Sequence, residues 1–302
     1  MRRLLMMPTP ARRSGFTLIE VVVSMLILGI ICGAAVKMLM KQTHSFDLQT
    51  NLRAARSISR SSTNVLESDL RMVQDSGGVD SVTADGKLVR IFVPYRFGLV
   101  CATSGNTTTV SMLPADSGIV ALSVYAGFAW RNSATGRYTY IAPANPTTTD
   151  APIVSTNPAL CTGTALGDAQ IQTVSNGGRT GDILDITSPA PSGATVGAPV
   201  FFWQRIIYSF RTSNMYPNQI GLWRNVQGGQ NEELMAPFDT SARFRFYQAG
   251  DDTSSSIPPA VSAIRGIDLV LMSLSPRATS DNPTQSKSKL VTSVFFKNVR
   301  AF

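Results

Sequence analysis

The chain has 302 residues and a net charge of +8, but four of its arginines lie within the first 13 residues. The remainder carries 23 basic and 19 acidic residues, and this net charge of +4 gives little support for a nucleic-acid partner. The only histidine is His44, and neither a Gly-x-Ser-x-Gly nor a phosphate-binding glycine motif occurs, so we predict no enzyme, no cofactor and no metal site.

The first predicted element is an apolar segment from Phe16 to Val36, interrupted by one carboxylate, Glu20. Twenty-one residues are enough to cross a bilayer. A charge inside such a span costs roughly 2.5–3.5 kcal/mol, so Glu20 is a candidate functional residue. The leader arginines outnumber Lys37 and Lys41 on the far side of the span, which favours a cytoplasmic N-terminus and an exported C-terminal body.

An ordinary secretory signal is the alternative explanation of this segment. Such a signal has an apolar core of about 7–15 residues followed by small residues, and Gly33-Ala34-Ala35 is a weak match to its cleavage site. The apolar run is too long for that class, and an acid near its start is atypical. Sequencing the N-terminus of the processed protein distinguishes the two.

The second predicted element continues the same helix, because no proline occurs between Phe16 and about Gln74. Apolar residues beyond the span recur near helical spacing, which predicts an amphipathic face. Glu67 and Arg71 stand at i and i+4 in the favourable order. The pair Gly77-Gly78 is expected to end the helix. About 60 residues at a rise of 1.5 Å make a rod roughly 90 Å long.

Short runs of β-branched and aromatic residues follow Gly78, separated by Gly, Pro, Asn, Ser and Thr. The candidate strands are Leu88–Val93, Ile119–Tyr125, Ile183–Thr187, Val200–Arg211, Ile220–Asn225, Ala242–Tyr247, Ile264–Ser273 and Leu290–Val299. The polar stretches Thr103–Thr109, Ala142–Asn157 and Asp251–Pro259 are predicted to be surface loops.

These elements predict an α+β fold, in which a long N-terminal helix with a transmembrane half and an amphipathic half packs on an antiparallel β-sheet domain. The predicted divisions are 1–15, 16–76 and 77–302. They correspond to a leader, a long helix with its transmembrane segment at 16–36, and a β-rich globular domain.

Three cysteines occur, and two of them, Cys101 and Cys161, lie in the exported part. An oxidising compartment makes a disulfide between them possible, and two free thiols are the alternative. Closing a loop of about 60 residues would stabilise the domain by roughly 4 kcal/mol. Cys32 lies in the span and is interpreted as a small packing residue.

The run Arg12-Arg13-Ser14-Gly15-Phe16-Thr17-Leu18-Ile19-Glu20 resembles the class III signal of type IV pilins and type II secretion pseudopilins. The resemblance implies that a prepilin peptidase cleaves between Gly15 and Phe16 and that Phe16 becomes the N-methylated first residue. It also implies that Glu20 pairs with the Phe16 ammonium of a neighbouring subunit during assembly. The implied partners are the peptidase, other major and minor pilins, and the inner membrane before assembly.

Later segments resemble W-type minor pilins and J-type minor pseudopilins. The helix ends in Leu66-Glu67-Ser68-Asp69-Leu70-Arg71, which matches a Leu-x-x-Asp-Leu-Arg ending. Ile207-Tyr208-Ser209-Phe210, Gly221-Leu222-Trp223-Arg224, Glu233-Leu234 and Phe244-Arg245-Phe246-Tyr247 then follow in the order of that group. Arg224 is interpreted as an ion-pair partner at a strand edge. Nothing between Gly98 and Pro199 matches.

The resemblance implies a minor pilin that takes part in the assembly or priming of a type IV pilus, near the filament tip. It implies a periplasmic globular domain that later becomes part of a cell-surface or periplasmic filament. The alternative is a minor pseudopilin of a type II secretion system, and a tip adhesin or a DNA-uptake subunit ranks third. A major pilin is disfavoured because the globular part exceeds 200 residues, which is longer than is usual for that class.

Overall fold

The computed structural model of the chain describes residues 15, 17–73, 78–113, 126–131, 138–141, 153–155, 161, 181–187, 195–227, 229–279 and 282–296. Its one long helix, α1, spans Leu18–Leu70. The helix ends before the predicted position near residue 76. Arg71 caps the helix: its backbone is still helical, and its N–H donates to the Glu67 carbonyl. Val73, beyond the helix, is fully buried and belongs to the core.

Apart from one turn of 3₁₀-helix at Val261–Ala263, the remaining regular structure of the described residues is a single antiparallel sheet of thirteen strands. The strands are Val79–Val82 (β1), Leu88–Ser104 (β2), Thr107–Met112 (β3), Gly127–Arg131 (β4), Tyr138–Ile141 (β5), Ile153–Val154 (β6), Ile183–Thr187 (β7), Pro199–Thr212 (β8), Ile220–Val226 (β9), Asn231–Phe238 (β10), Arg243–Gln248 (β11), Ile264–Thr279 (β12) and Asn282–Phe295 (β13). The predicted α+β arrangement, with a long helix on an antiparallel sheet, is confirmed.

Two long strands, β2 and β8, form the centre of the sheet, and their pairing runs from Leu88–Ser209 to Leu99–Pro199. The register shifts between Pro94 and Arg96, which leaves Tyr95 as an extra residue. A β-bulge of this kind bends a strand and increases its twist. The shift divides the sheet into two parts that share β2 and β8.

We call the two parts the helix lobe and the disulfide lobe. The helix lobe contains β1, β9–β13 and the ends of β2 and β8 that pair at residues 88–94 and 203–209. The disulfide lobe contains β3–β7 and the opposite ends of β2 and β8. The chain therefore enters the sheet from the helix, crosses to the disulfide lobe along β2 and returns along β8.

Each lobe has its own hydrophobic core. The core of the helix lobe joins Leu66 and Leu70 of α1 to buried aromatic and aliphatic residues of the sheet, among them Tyr208, Phe244 and Phe246. The core of the disulfide lobe is built around Phe128, Trp130, Phe202 and small aliphatic residues. Burial of aromatic side chains of this size supplies much of the driving force for folding. Helix α1 contributes buried residues to the core of the helix lobe and none to the core of the disulfide lobe.

Most of the predicted strands are confirmed, and several are longer than predicted. Leu88–Val93 lies within the 17 residues of β2, and Ile264–Ser273 within the 16 residues of β12. The candidate strand at 119–125 lies outside the described residues, as does most of the predicted loop at 142–157. The stretch Asp251–Pro259 is a loop with one isolated bridge, between Phe246 and Ser255.

The prediction of a surface loop at Thr103–Thr109 is wrong. Ser104 ends β2 and pairs with Thr107 at the start of β3, so the two strands form a hairpin around Gly105 and Asn106. Gly105 has a φ of +57°, which a glycine adopts without steric cost. Threonine is β-branched and favours strands, so the composition that suggested a loop belongs to a strand. A Gly-Asn pair between the two runs was the available hairpin signal.

Candidate functional site

The start of α1 is a capped helix terminus with an acid in its first turn. The Thr17 side chain accepts a hydrogen bond from the backbone N–H of Glu20 at 3.4 Å, so the helix begins after Thr17. The Glu20 side chain is exposed and lies at the positive end of the helix macrodipole, which favours a carboxylate. Gly15 is also exposed, whereas Phe16 lies outside the described residues.

The first half of α1 does not contact the sheet through its side chains. Every residue from Thr17 to Thr43 is exposed. Its most apolar 18-residue window has a mean hydropathy of 2.5, and none of that window is buried. By length and composition this segment is able to cross a membrane. Large side chains such as Leu18, at 83% exposure, require an environment that the domain does not provide.

The second half of α1 joins the sheet through a seam of small residues. Ala55, Ser59 and Ser62 are all fully or almost fully buried. The Ser273 hydroxyl of β12 donates to the Ala55 carbonyl at 2.6 Å and lies 2.7 Å from the Ser59 hydroxyl. Small side chains let the helix approach the sheet closely, and the hydroxyls satisfy one another inside the interface. The seam fixes where the helix meets the sheet.

The end of α1 carries a polar cluster that connects the helix to two central strands. The Tyr208 hydroxyl of β8 donates to the Asp69 carboxylate at 2.5 Å. The Arg224 guanidinium of β9 lies 3.3 Å from the same carboxylate oxygen and 3.3 Å from the Tyr208 hydroxyl. The Asp69 and Arg224 side chains are 20% and 25% exposed, so water screens their charges only in part.

The pKa values within the cluster follow from burial and charge. Burial, and then the neighbouring Asp69 carboxylate, raises the pKa of Tyr208 far above its usual value. The Tyr208 hydroxyl is therefore a stable hydrogen-bond donor at any physiological pH. For Arg224, burial alone would lower the pKa, but Tyr208 and Asp69 together raise it. Asp69 therefore accepts a hydrogen bond from each of its two partners, the Tyr208 hydroxyl and the Arg224 guanidinium.

The structure brings together three residues from the separate segments that the sequence singled out. Asp69 lies in the Leu-x-x-Asp-Leu-Arg ending, Tyr208 in the segment 207–210 and Arg224 in the segment 221–224. Arg224 is in an ion pair, as the sequence predicted, and its partner, Asp69, lies on α1. The sequence did not predict the polar contact of Tyr208 or the seam around Ser273. An acid on a predicted buried helix face needs a donor, and that requirement was the available signal.

Cys101 and Cys161 form a disulfide that joins positions 60 residues apart. The two sulfur-bearing residues pack with Ile183 in a small cluster of buried residues. Cys32, in contrast, is exposed on the first half of α1. Within the described residues, no group of three or more His, Cys, Asp or Glu side chains is arranged to hold a metal ion.

Residues 10–36 match the model of the prokaryotic N-terminal methylation motif. The match covers 27 of the 302 residues, and a motif of this kind is typical of type IV pilins and pseudopilins. The class III prepilin motif implies processing by a prepilin peptidase and assembly with other pilins, and it points to a structural subunit rather than an enzyme. Comparison with curated proteins and with solved structures gives no match.

Proposed function

We propose that this pilin-like chain is a minor subunit that takes part in the assembly or priming of a type IV pilus, close to the filament tip. The observation that carries the proposal is the contrast within α1. The half that bears the methylation motif is exposed throughout, and the other half is built into the domain core. An apolar helix that leaves its own domain is suited first to a bilayer and then to a bundle of similar helices.

Processing is the first step of the proposed mechanism. Cleavage between Gly15 and Phe16 removes the leader, and methylation of Phe16 follows. The new N-terminal ammonium belongs to the residue four positions before Glu20 in the chain, and Glu20 lies in the first turn of a helix whose dipole favours the carboxylate. Mass spectrometry of the mature N-terminus tests this step, and a chain that starts at any residue other than methylated Phe16 contradicts it.

The second step is insertion with the domain on the outer side of the inner membrane. The arginines at positions 2, 3, 12 and 13 exceed Lys37 and Lys41 on the opposite flank, which supports a cytoplasmic N-terminus. The disulfide between Cys101 and Cys161 supports a periplasmic domain, because such bonds persist in oxidising compartments.

The third step is lateral packing of α1 among the helices of a growing filament. Glu20 is the only charged residue between Phe16 and Val36, so the span itself offers its carboxylate no cationic side chain. An unpaired carboxylate in an apolar bundle is costly. Pairing with the Phe16 ammonium of a neighbour removes that cost and sets the axial register of the incoming subunit. The size of the thirteen-stranded, two-lobed domain supports a minor rather than a major subunit, because a repeating filament leaves limited room around each helix.

The experiment that tests the assembly role is Glu20→Ala, with Asp47→Ala as the matched control. Asp47 is another exposed acid on α1, beyond the apolar span. We expect Glu20→Ala to insert into the membrane and to be processed, but to be depleted from filaments. We expect Asp47→Ala to behave as the unaltered chain. Normal incorporation of Glu20→Ala contradicts the proposal.

The ordered motifs around Asp69, Tyr208 and Arg224 also resemble J-type minor pseudopilins of type II secretion systems. The genes beside this one separate the two systems. A retraction motor and a major pilin support the pilus, whereas a secretin operon with secretion components supports the pseudopilin.

A further inference from the structure

The strand β13 forms an outer border of the sheet. Among the described residues it pairs with β12 and with no other strand. Its register with β12 is continuous from Gly266–Phe295 to Leu274–Lys287, without a bulge. The edge is therefore regular over nine residues, whereas proteins commonly keep exposed edge strands very short.

The backbone groups of this edge can be assigned to two directions. Both the N–H and the C=O of a residue in an antiparallel strand point to the same neighbour, and successive residues alternate. The Phe296 N–H donates to the Arg265 carbonyl at 3.0 Å, so even-numbered residues face β12. The N–H and C=O groups of Lys287, Lys289, Val291, Ser293 and Phe295 consequently point away from the sheet.

The side chains of the same five residues are exposed on the sheet face opposite α1. The two halves of this row differ in character. Lys287 and Lys289 protect the first half, as lysines do on many sheet edges. Val291 and Phe295, at 47% and 59% exposure, leave the second half apolar.

Phe295 is held in its exposed position by its neighbours. Its ring centroid lies 4.8 Å from that of Tyr247 on β11. The ring also covers Gly266, where an added Cβ would come within 2.8 Å of it. When an extended peptide adds a strand to a sheet, main-chain hydrogen bonds at the edge give affinity and contacts with side chains give specificity, and the described part of β13 offers both.

From this geometry we infer that the outer edge of β13, between Lys287 and Phe295, accepts an extended strand from a different pilin-type subunit. The inference rests on the proposed function, because the neighbours of a minor subunit in a filament are other pilin-type chains. The incoming strand would place apolar side chains against Val291 and Phe295. It would place a carboxylate opposite Lys289, since Lys287 already bonds to Asp239 at 2.6 Å.

Two copies of this chain cannot pair antiparallel through β13 while both of their helices enter the same membrane in the same direction. The two-fold axis of such a pair is perpendicular to the sheet, and α1 lies flat on the sheet across β12 and β13 before it reaches Tyr208 and Arg224. The axis would therefore turn the two helices in opposite directions. Two membrane anchors of the same orientation cannot be arranged in that way, which leaves a different subunit as the occupant.

The test is photo-cross-linking in cells that assemble the filament, with a benzophenone amino acid in place of Phe295. The same amino acid at Val196, an exposed residue in the disulfide lobe, is the positional control. We expect an adduct with a different processed prepilin-type subunit at position 295 and none at position 196. An adduct between two copies of this chain, or no adduct in filaments that contain the chain, overturns the inference.

Val291→Pro provides the matched variant. Because the Val291 N–H points away from β12, proline removes no hydrogen bond of the chain's own sheet, but its ring blocks strand addition. We expect the adduct at position 295 to fall about tenfold. Val291→Thr keeps the N–H and the β-branched shape, so its adduct should be retained. The unfolding midpoint of both variants in detergent shows that the domain is still folded.

The two proposals fail in different ways. Normal incorporation of Glu20→Ala contradicts the assembly role of α1, whatever happens at β13. If Val291→Pro leaves the adduct unchanged, the edge inference is overturned. If Glu20→Ala is nevertheless depleted from filaments in the same assembly system, the assembly role of α1 stays in place.

Discussion

The two halves of α1 are built from one continuous helix but have opposite relations to the domain. Residues 18–43 are exposed throughout, although they are the most apolar part of the chain. The half that ends at Leu70 is less apolar, yet Ala55, Ser59, Leu66 and Leu70 are buried against the sheet. Hydrophobicity alone therefore does not decide which half of a helix enters a core. Buried small residues that meet β12 and a matched polar cluster place the second half, whereas the exposed side chains of the first half are left for other partners.

The strongest test of this contrast is a pair of leucine truncations. Leu66 is fully buried in the core of the helix lobe, and Leu26 is 63% exposed. We expect Leu66→Ala to lower the free energy of unfolding by about 2–5 kcal/mol. We expect Leu26→Ala to change it by less than about 0.5 kcal/mol. Denaturant unfolding in detergent, followed by tryptophan fluorescence, measures both, and similar losses in the two variants would mean that the halves are not distinct.

A smaller effect is expected from the cluster at the end of the helix. Asp69→Asn leaves the half-buried Arg224 guanidinium without a carboxylate, which should cost about 2 kcal/mol of stability. Tyr208→Phe is the milder control, because it removes one hydrogen bond and keeps the ion pair. Its cost should be about 1 kcal/mol. Equal stability of Asp69→Asn and the unaltered chain would show that the cluster does not hold the helix.

The smallest expected effect is a pH dependence of stability, which arises from the ion pair between Lys287 of β13 and Asp239, the residue after β10. The Lys287 ammonium and the Ser241 hydroxyl and N–H lower the pKa of Asp239 from 3.8 to about 2. The folded pKa is below the unfolded one, so the contribution is complete above pH 3.8 and is lost as the pH falls towards 2. Lys287 is 59% exposed, and solvent screening should keep the contribution below about 1 kcal/mol.

Unfolding midpoints between pH 5 and pH 2, compared between the unaltered chain and Lys287→Gln, measure this contribution. The two curves should converge at the acid end of the range. A constant difference between them across the range contradicts the assignment to Asp239.

The first half of α1 was predictable from the sequence because its information is local. A run of apolar residues, the flanking charges and the Gly15-Phe16 motif do not depend on the rest of the fold. The strands of the helix lobe were predictable for the same reason, since the alternation around Phe244 and Phe246 needs only one exposed face.

The contacts of the second half were not predictable, because they join residues far apart in the chain. Ser59 meets Ser273 across 214 positions, and Asp69 meets Arg224 across 155. The hairpin at Gly105 was missed for a different reason, because threonine is common both in polar loops and in strands. Composition was a poor guide there, and the two-residue turn was the better one.

The most direct test of the division within α1 measures two properties of the same two variants, Glu20→Ala and Asp69→Asn. The properties are incorporation into filaments and the unfolding midpoint of the domain in detergent, at a temperature where both variants are folded. We expect Glu20→Ala to lose incorporation with an unchanged midpoint, and Asp69→Asn to have a lower midpoint with incorporation retained. A lower midpoint for Glu20→Ala, or normal incorporation of that variant, contradicts the account.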